Sequence, residues 1–386
     1  MGSGHLGSEH LERALDALLE RVARSLDSTG DAFPYFADPE TGEWETTPAG
    51  NWCGGHWVGL LRLAAEHAER GTESERYRVA ARSHTETLHE YMPHETMFCG
   101  MNFHYAGFAG FDATGDRSLF GIGLEGADAM TDLYHEGARQ IPIGQLEIEG
   151  PEQFRGPDSD HGPSGDRIGA VDDIYTTLPI LWRAYEETGD SRFRDVAVSH
   201  ADRHLDWYLR EDGSTWHHAV FDRETGELER QYNELARSDD TCWARGQGWN
   251  IAGLARAYRE TDADRYLDAL ERAVEYHRRN SPDDGVPYWD YAASGDEPRD
   301  TSAAALIAYG LVRLSEEPST AALRDYGRTV LDALLSSYLV TDPDAENRGA
   351  VLQGCFNRPG RYADDNELIW TDYYVARAVS ESLDRA

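Results

Sequence analysis

The chain has 386 residues, and its 71 acidic and 36 basic residues give a net charge of −35. The basic residues are all arginines, because the sequence contains no lysine. This charge repels nucleic acid and anionic membranes, so we expect neither as a partner. It also predicts a halophilic protein with a surface suited to high salt. Four distant cysteines without a CxxC pair, and no apolar run of transmembrane length, favour a reduced, cytoplasmic protein.

Helical patterns dominate the chain, and one of them recurs. A first helix is predicted at 9–28 and a last one at 368–384, after a terminus of about eight residues that is predicted to be disordered. Between them, four apolar, arginine-containing helices end in short polar turns; their repeated segments begin at Leu60, Leu181, Leu254 and Leu311. Each is followed by a second helix with an aromatic residue near its start. A fifth copy runs from Phe108 to Tyr134.

About twelve helices in six hairpins predict an all-α (α/α)6 barrel, a six-hairpin toroid that forms a single domain over 1–386. The first helix of each pair is the more apolar and is predicted to be the inner one. Inner helices then start at one end of the barrel, and the segments before them converge on one mouth. These segments are predicted to be Asn51–Trp57, Asn102–Phe108, Ala170–Tyr175, Asp239–Trp249 and Glu297–Ser302. A β-hairpin is predicted after Thr215, with its turn at Arg223–Gly226.

The stretch Arg237–Asn250 carries the densest set of unusual side chains. Its Ser-Asp-Asp-Thr run predicts a helix N-cap, and Trp243, Arg245 and Trp249 follow within about one and a half turns. Indoles beside a guanidinium indicate a site for a sugar or another polar ring, and the indoles of Trp52, Trp57 and Trp289 would extend it. The alternative is aromatic core packing beside a helix cap.

Three further motifs do not support a cofactor or a metal. Gly121–Gly126 matches GxGxxG but follows no strand, so close helix packing is the better interpretation. Asp342–Asn347 lacks the register of an EF-hand, and the histidines and cysteines lack zinc-site spacing. We therefore expect a protein without a cofactor.

The pair Asp172-Asp173 is the strongest candidate for a general acid. Two adjacent carboxylates in apolar surroundings raise each other's pKa, which keeps one of them protonated near neutrality. The alternative is an N-cap followed by a first-turn acid. His104, His217 and His218 are candidates for hydrogen bonds to substrate hydroxyls or to a carboxylate.

Several of these segments together resemble a known family. They are Trp52–Leu61, Ser238–Trp249, and Asp284–Asp290 with Pro298–Ala305. They resemble the unsaturated glucuronyl hydrolases of glycoside hydrolase family 88 and, more distantly, the unsaturated rhamnogalacturonyl hydrolases of family 105. The resemblance runs roughly from Trp52 to Tyr374. It implies an (α/α)6 barrel and a metal-free reaction on the 4,5-unsaturated uronic acid that polysaccharide lyases leave at a non-reducing end.

The resemblance also implies residue roles. It implies that Asp173 protonates the vinyl ether at C4 and activates the water that adds at C5. It implies saccharide binding by Trp52, His104, His217, Trp243 and Trp249, to which Arg245 and Trp289 are added as candidates. Two positions depart from the family pattern, since Tyr105 stands at its second aspartate and Leu235 at a glutamine. Asp172 would then substitute for the missing carboxylate, or Tyr105 would donate a hydrogen bond in its place.

The first functional hypothesis is therefore a hydrolase that acts on unsaturated uronyl oligosaccharides as a monomer or weak homodimer. A second is a related enzyme on the same scaffold: a rhamnogalacturonyl-type hydrolase, or an uronate-specific lyase or glycosidase with Tyr105 as acid or base. A third is a non-catalytic saccharide-binding toroid.

Overall fold

A computed structural model describes residues 7–68, 71–145 and 164–385. Within these residues the helices are, in chain order, α1 (Ser8–Thr29), α2 (Gly54–His67), α3 (Thr72–Tyr91), α4 (Met97–Phe103), α5 (Ala109–Thr114), α6 (Arg117–Leu133), α7 (Asp173–Thr188), α8 (Ser191–Trp207), α9 (Ala244–Thr261), α10 (Asp264–Asn280), α11 (Thr301–Val312), α12 (Ala321–Ser337) and α13 (Ile369–Leu383). A π-helical turn, His104–Phe108, joins α4 and α5 into one longer helix.

The helices form two concentric rings. The inner ring runs from α2 through α4–α5, α7, α9 and α11 to α13, and α13 packs back against α2. The outer helices α3, α6, α8, α10 and α12 each pack on the inner helix that precedes them, and α1 packs on α13. The two ends of the chain therefore make the sixth hairpin together. The prediction of an all-α (α/α)6 toroid is confirmed.

The helices predicted at 9–28 and 368–384 correspond to α1 and α13. The single-domain organisation remains a prediction. Of the terminus predicted to be disordered, residues 1–6 lie outside the described residues, and α1 already begins at Ser8.

Burial separates the two rings as the sequence predicted. Every residue of the inner helix α11 is buried. The outer helix α10 buries one stripe only, formed by Tyr266, Ala269, Leu270, Ala273, Val274 and His277. An inner helix contacts neighbours on all sides, whereas an outer helix needs one apolar face.

Close helix packing accounts for two of the three motif glycines in α6. A Cβ on Gly123 would lie 2.6 Å from Phe108 Cδ1, and one on Gly126 would lie 2.7 Å from Ile180 Cδ1. A side chain at either position would force the helices apart. Gly121 faces open space.

Two predicted helix starts are wrong. Helix α9 begins at Ala244, so the Ser238–Thr241 run is not its cap, and Trp243 occupies the N-cap position without a side-chain cap bond. The polar side chains before it bind neighbouring loops instead, since Asp239 Oδ1 accepts from the Asn233 N–H at 2.7 Å and Thr241 Oγ1 donates to Asp290 Oδ2 at 2.7 Å.

The segment Asn102–Phe108 does not precede an inner helix but lies inside one. Asn102 serves the first turn of a different helix. Its Oδ1 accepts from the Gly55 N–H at 2.6 Å, and its Nδ2 donates to Trp52 O at 3.0 Å. Asn102, which the sequence placed at a helix start, thus caps α2 from a different helix.

The strands are short. They are β1 (Phe33–Ala37), β2 (Trp44–Thr47), β3 (Gly144–Gln145), β4 (Ser164–Gly165), β5 (Ile168–Ala170), β6 (His218–Phe221), β7 (Leu228–Tyr232) and β8 (Glu367–Leu368). They form sheets of order β2-β1-β8, β3-β4 and β5-β6-β7. The predicted hairpin is β6–β7, with antiparallel partners that include His218 and Tyr232. No helix in the described part of the chain is long and apolar enough to cross a bilayer.

Candidate active site

The N-terminal ends of the inner helices bring together several of the predicted site residues. Asp172 is the N-cap residue of α7, Trp243 that of α9 and Asp300 that of α11. Before α2, the 3-10 turn Asn51–Cys53 holds Trp52. We call this end of the barrel the mouth.

Asp172 faces a pair of histidines on the β5-β6-β7 sheet. Its Oδ1 lies 3.9 Å from His217 Nε2, and the His217 ring stacks on that of His218 with centroids 3.7 Å apart. His217 Nδ1 accepts from the Leu235 N–H at 3.3 Å, so a neutral His217 carries its proton on Nε2, towards Asp172. His218 Nε2 in turn lies 3.2 Å from Glu234 Oε2.

Solvent reaches part of each of these acids, although Asp172 Oδ1, the oxygen that faces His217, is buried. The side chain of Asp172 is 20% exposed and that of Glu234 19%. Burial still raises the pKa of Asp172, although the His218 imidazole and the Arg245 guanidinium oppose that shift. A carboxyl that is partly open to a ligand and resists ionisation is suited to proton donation.

Trp243 and Arg245 continue the same surface. The Trp243 ring lies 4.5 Å from that of His217, and the Arg245 guanidinium lies 4.6 Å above the Trp243 ring. Arg245 is 2% exposed and fully engaged, because it donates to Cys355 O at 2.5 Å and Phe356 O at 2.7 Å.

The nearest carboxylate to the Arg245 guanidinium is that of Asp300, at 3.7 Å. The acids just before Arg245 in the sequence are not its partners, because Asp239 accepts from the Asn233 N–H and Asp240 is exposed. Arg245 therefore holds the chain around Phe356 in place, and its charge is matched inside the protein.

Phe356 links this group to Trp52. The Arg245 guanidinium lies 5.3 Å from the Phe356 ring, which stacks on Trp52 at 6.1 Å with an interplanar angle of 19°. Trp370 contacts Trp52 at 4.7 Å, and the Trp52 indole donates to Tyr35 Oη at 3.1 Å. A continuous row of contacts thus connects Asp172, His217, Trp243, Arg245, Phe356 and Trp52.

Asp173 points elsewhere. It is completely buried, and its Oδ2 accepts from the Ala170 N–H at 2.7 Å and from Gln140 Nε2 at 3.2 Å. Gln140 Nε2 also lies 3.5 Å from His204 Nε2 on the outer helix α8. Burial raises the pKa of Asp173 well above the usual range, and the neighbouring Asp172 raises it further. The two carboxylates diverge, one towards the mouth and one into the layer between α7 and α8.

Trp249 and Tyr105 lie deeper in the barrel. Trp249 is 1% exposed and stacks on Tyr175 at 5.7 Å. Tyr105 Oη lies 3.1 Å from Tyr374 Oη, which lies 3.0 Å from His56 Nε2. Burial raises the pKa of Tyr105 well above its usual range, so it is a neutral phenol rather than a base.

His104 stands apart from the row at the mouth, whereas Trp289 lies beside it, because its carbonyl accepts from the Ala244 N–H at 3.0 Å. His104 lines a cavity at the other end of the barrel, where burial and the neighbouring arginines hold its pKa well below the usual range. Trp289 packs in a small cluster with Ala293 and Cys355, and its indole donates to Glu297 Oε2 at 3.0 Å.

Sequence reasoning missed Phe356, Trp370 and Glu234. Phe356 lies outside the motifs used, and only packing against Trp52 identifies it. Glu234 is one residue from the Leu235 position that the family pattern had marked. The predicted hairpin could have identified Glu234, because His218 begins β6 and Glu234 lies just past the partner strand β7.

Comparison with known proteins gives a consistent result. Residues 170–384 match the model of Glycosyl Hydrolase Family 88. The unsaturated glucuronyl hydrolase of Bacillus sp. (strain GL1) is 30% identical, with 95% of each chain covered. The unsaturated chondroitin disaccharide hydrolase of Streptococcus pneumoniae (strain ATCC BAA-255 / R6) is 25% identical, over 97% of this chain and 92% of that protein.

A solved structure agrees in fold. The unsaturated glucuronyl hydrolase from Bacillus sp. GL1, described as responsible for the degradation of glycosaminoglycan, superimposes with a TM-score of 0.82 at 27% identity. The match covers 96% of each chain.

Proposed function

The chain belongs to glycosyl hydrolase family 88, and from this premise we propose that it removes 4,5-unsaturated uronic acid from the non-reducing end of lyase-generated oligosaccharides. The observation that carries the proposal is the row of contacts from Asp172 to Trp52 at the mouth, which combines an acid, an imidazole and indoles. Relatives named for unsaturated glucuronyl and chondroitin substrates support the same class.

We assign proton donation to Asp172. In this reaction the acid protonates C4 of the vinyl ether, water adds at C5, and the hemiketal that forms opens to release the remaining saccharide. The Asp172 carboxyl is partly exposed and is flanked by His217 Nε2, which suits contact with a substrate. The carboxylate that results has the His217 N–H as a neighbour and is able to take a proton from the incoming water.

We assign a positioning role to Asp173, which the sequence had favoured as the acid. Its carboxylate accepts the Ala170 N–H, two residues before Asp172, and so fixes the end of β5. A group that is 0% exposed contacts substrate only after a rearrangement. Tyr105, with its phenol turned to Tyr374, is not needed as acid or base.

The residues that the sequence proposed as saccharide contacts also fall into two groups, those that hold the sugar and those that act through other residues. Trp52, His217 and Trp243 are proposed to hold the sugar at the mouth. Arg245 is proposed to act through Phe356 and Trp243 rather than by gripping the substrate carboxylate, because two carbonyls and Asp300 already occupy its guanidinium.

Two variants test the assignment with unsaturated uronyl disaccharides as substrate. Asp172→Asn is expected to lower turnover by about 10²- to 10⁴-fold, the range of general acid catalysis, while saccharide binding persists. Asp173→Asn is expected to keep turnover within about tenfold of the parent, since it retains an acceptor for Ala170. A parent-like rate for Asp172→Asn, with loss of turnover in Asp173→Asn, would reverse the two roles.

The same assay separates a hydrolase of unsaturated ends from a lyase and from a binding protein. Hydration of the vinyl ether removes the ultraviolet absorbance of the conjugated acid. A lyase acting on saturated ends creates that absorbance, and a binding protein leaves the absorbance unchanged. Loss of absorbance with release of the reducing fragment supports the hydrolase.

The compartment and the salt requirement are also proposals. Cys53, Cys99, Cys242 and Cys355 are all buried free thiols, which supports a reducing cytoplasm. The net charge of −35 supports function at high salt. A monomer or weak homodimer remains the predicted assembly.

A further inference from the structure

A cavity of about 980 Å³ lies at the end of the barrel opposite the mouth, where the inner helices end. Eight arginines and five acidic residues line it. Asp116, Glu187 and Glu381 pair with these arginines from outside the lining, so arginines and acids balance here, in a chain whose net charge is −35. Five of these arginines come from the inner helices, and a sixth follows α11 directly: they are Arg62, Arg183, Arg256, Arg259 and Arg377, and then Arg313.

The acids of this cavity lie mainly at its rim. Asp112 and Glu186 have side chains that are 52% and 47% exposed. The side chains of Arg256 and Arg313 are only 12% and 17% exposed. Water screens charges at the rim more strongly than charges deeper in the cavity, so the rim acids offset little of the field of the deep arginines.

Internal acids neutralise part of this charge. Arg256 pairs with Glu260 at 2.6 Å, whereas Arg313 and Arg377 share Glu381 at 3.3 and 3.0 Å. One carboxylate thus pairs with two guanidinium groups, so these three groups together carry a net positive charge.

Two arginines have no acid partner among the described residues. Arg62 donates to Thr85 Oγ1 at 3.2 Å and to Ala106 O at 2.8 Å, both of them neutral acceptors. Arg259 is exposed to the cavity and forms no ion pair in the described part of the chain. Burial and neighbouring arginines lower the pKa of each to about 10, so both stay charged at neutral pH.

We propose that this cavity is a second ligand site, which binds a small molecule through an oxyanion group: a sulfate, a phosphate or a carboxylate. Guanidinium groups pair with these anions through two parallel N–H bonds. The volume lies within the range of about 300–1,000 Å³ that is typical of small-molecule pockets. The phenols of Tyr309 and Tyr373, which also line the cavity, add neutral hydrogen-bonding groups.

This site is separate from the proposed catalytic mouth. The residues of the mouth lie at the N-terminal ends of the inner helices, and the arginines lie in their C-terminal halves. The test therefore needs no turnover, and its outcome does not depend on the role of Asp172.

Titration calorimetry on the whole protein tests the proposal, with inorganic sulfate, inorganic phosphate and glucuronate as separate probes. Sodium chloride keeps the ionic strength constant, so that screening alone gives no signal. At least one probe is expected to bind saturably at one site per chain. Arg259→Gln and Arg62→Gln are each expected to weaken that binding at least tenfold.

Arg13→Gln is the matched control, because it removes the same charge from the exposed face of α1, where Arg13 pairs with Glu9. It is expected to bind like the parent. Arg259→Gln carries the test alone if Arg62→Gln does not fold. Absence of saturable binding for all three probes would overturn the proposal. So would equal affinity in Arg259→Gln and Arg13→Gln, or loss of binding when saccharide fills the mouth.

Discussion

Asp172 and Asp173 are adjacent in sequence but have different surroundings. Successive residues at a helix start point about 100° apart, so one carboxylate faces the mouth and the other faces α8. The first is 20% exposed and the second is fully buried. Burial raises the pKa of both, but the environments lead to different roles. Proton donation needs access to substrate, whereas a hydrogen bond to Ala170 needs only proximity.

The buried carboxyl of Asp173 makes folding depend on pH. Its pKa in the folded protein lies above the unfolded value, so the unfolded state loses its proton first as pH rises. The contribution of this group to stability is therefore present below the unfolded pKa, about 3.9, and is lost as pH rises through the folded pKa.

Asp173→Asn removes this titration. The stability of the variant relative to the parent is expected to increase as pH rises from about 4 towards neutrality. Thermal unfolding of both proteins across that range, at constant salt, measures the difference. Asp195→Asn is a suitable control, because it makes the same amide change at an exposed position on α8. A difference that stays flat with pH would show that the Asp173 carboxyl ionises normally in the folded state.

Repeated helix–turn–helix elements set the ring, and their turns share one backbone feature. The residue after α5 is Gly115 and the one after α7 is Gly189, with φ of 71° and 70°. After α9 the same left-handed position holds Asp262, with φ of 52°. Each N–H bonds back to the helix, so the turn reverses the chain into the outer helix.

Gly189→Ala is expected to destabilise the protein by about 1 kcal/mol, because a Cβ disfavours the left-handed conformation. Its Cβ would meet nothing within 4 Å, so the effect is one of backbone alone. Gly121→Ala is the matched control: it also faces open space but lies inside α6, where alanine should stabilise by about 1 kcal/mol. Denaturant unfolding measures both. Changes of the same sign in the two variants would contradict this account.

The sequence predicted the helices, their pairing and the ring, because hydrophobic periodicity and repeated turns report local structure and burial directly. It did not predict which residues cap which helix. Asn102 caps α2 from another hairpin, and the Ser238–Thr241 run binds neighbouring loops, so both depend on contacts that only the folded chain creates.

The sequence also predicted only part of the candidate site, because the rest depends on contacts that the fold creates. Trp52 and Trp243 lie at the mouth, as the order of helix starts had indicated, and His217 contacts Trp243 there. A shift of the helix start by one residue would change which of the two adjacent aspartates faces them. A sequence pattern does not determine a helix start that closely. His104 lies at the far end because its segment is the middle of an inner helix.

For the whole molecule, the two chain ends close the ring. The outer helix α1 packs on α13, and Arg21 of α1 pairs with Glu367 of β8 through a double contact that is almost completely buried. Strand β8 also pairs with β1. Closure of the toroid thus joins residues that are 346 positions apart, which makes the ring dependent on both termini.

The surplus of negative charge affects the stability of the whole ring. With 71 acidic residues and 36 arginines, about half of the acids lack a positive partner even if every arginine is paired. Exposed ion pairs contribute about 0–1 kcal/mol each, and salt weakens them. Repulsion among the surplus carboxylates adds over the whole surface and is weakened by the same salt. We expect repulsion to dominate, so that screening stabilises the fold.

The melting temperature is therefore expected to rise between 0.1 M and 1 M sodium chloride, as the Debye length falls from about 10 Å to about 3 Å. Circular dichroism at neutral pH measures the rise. Near the sequence isoelectric point of about 4.6 the net charge vanishes, so the same salt series should give a much smaller change. A protein whose melting temperature is independent of salt at neutral pH, or falls with it, would show that its ion pairs outweigh the repulsion. An equal rise at both pH values would instead assign the effect to salt-strengthened hydrophobic burial.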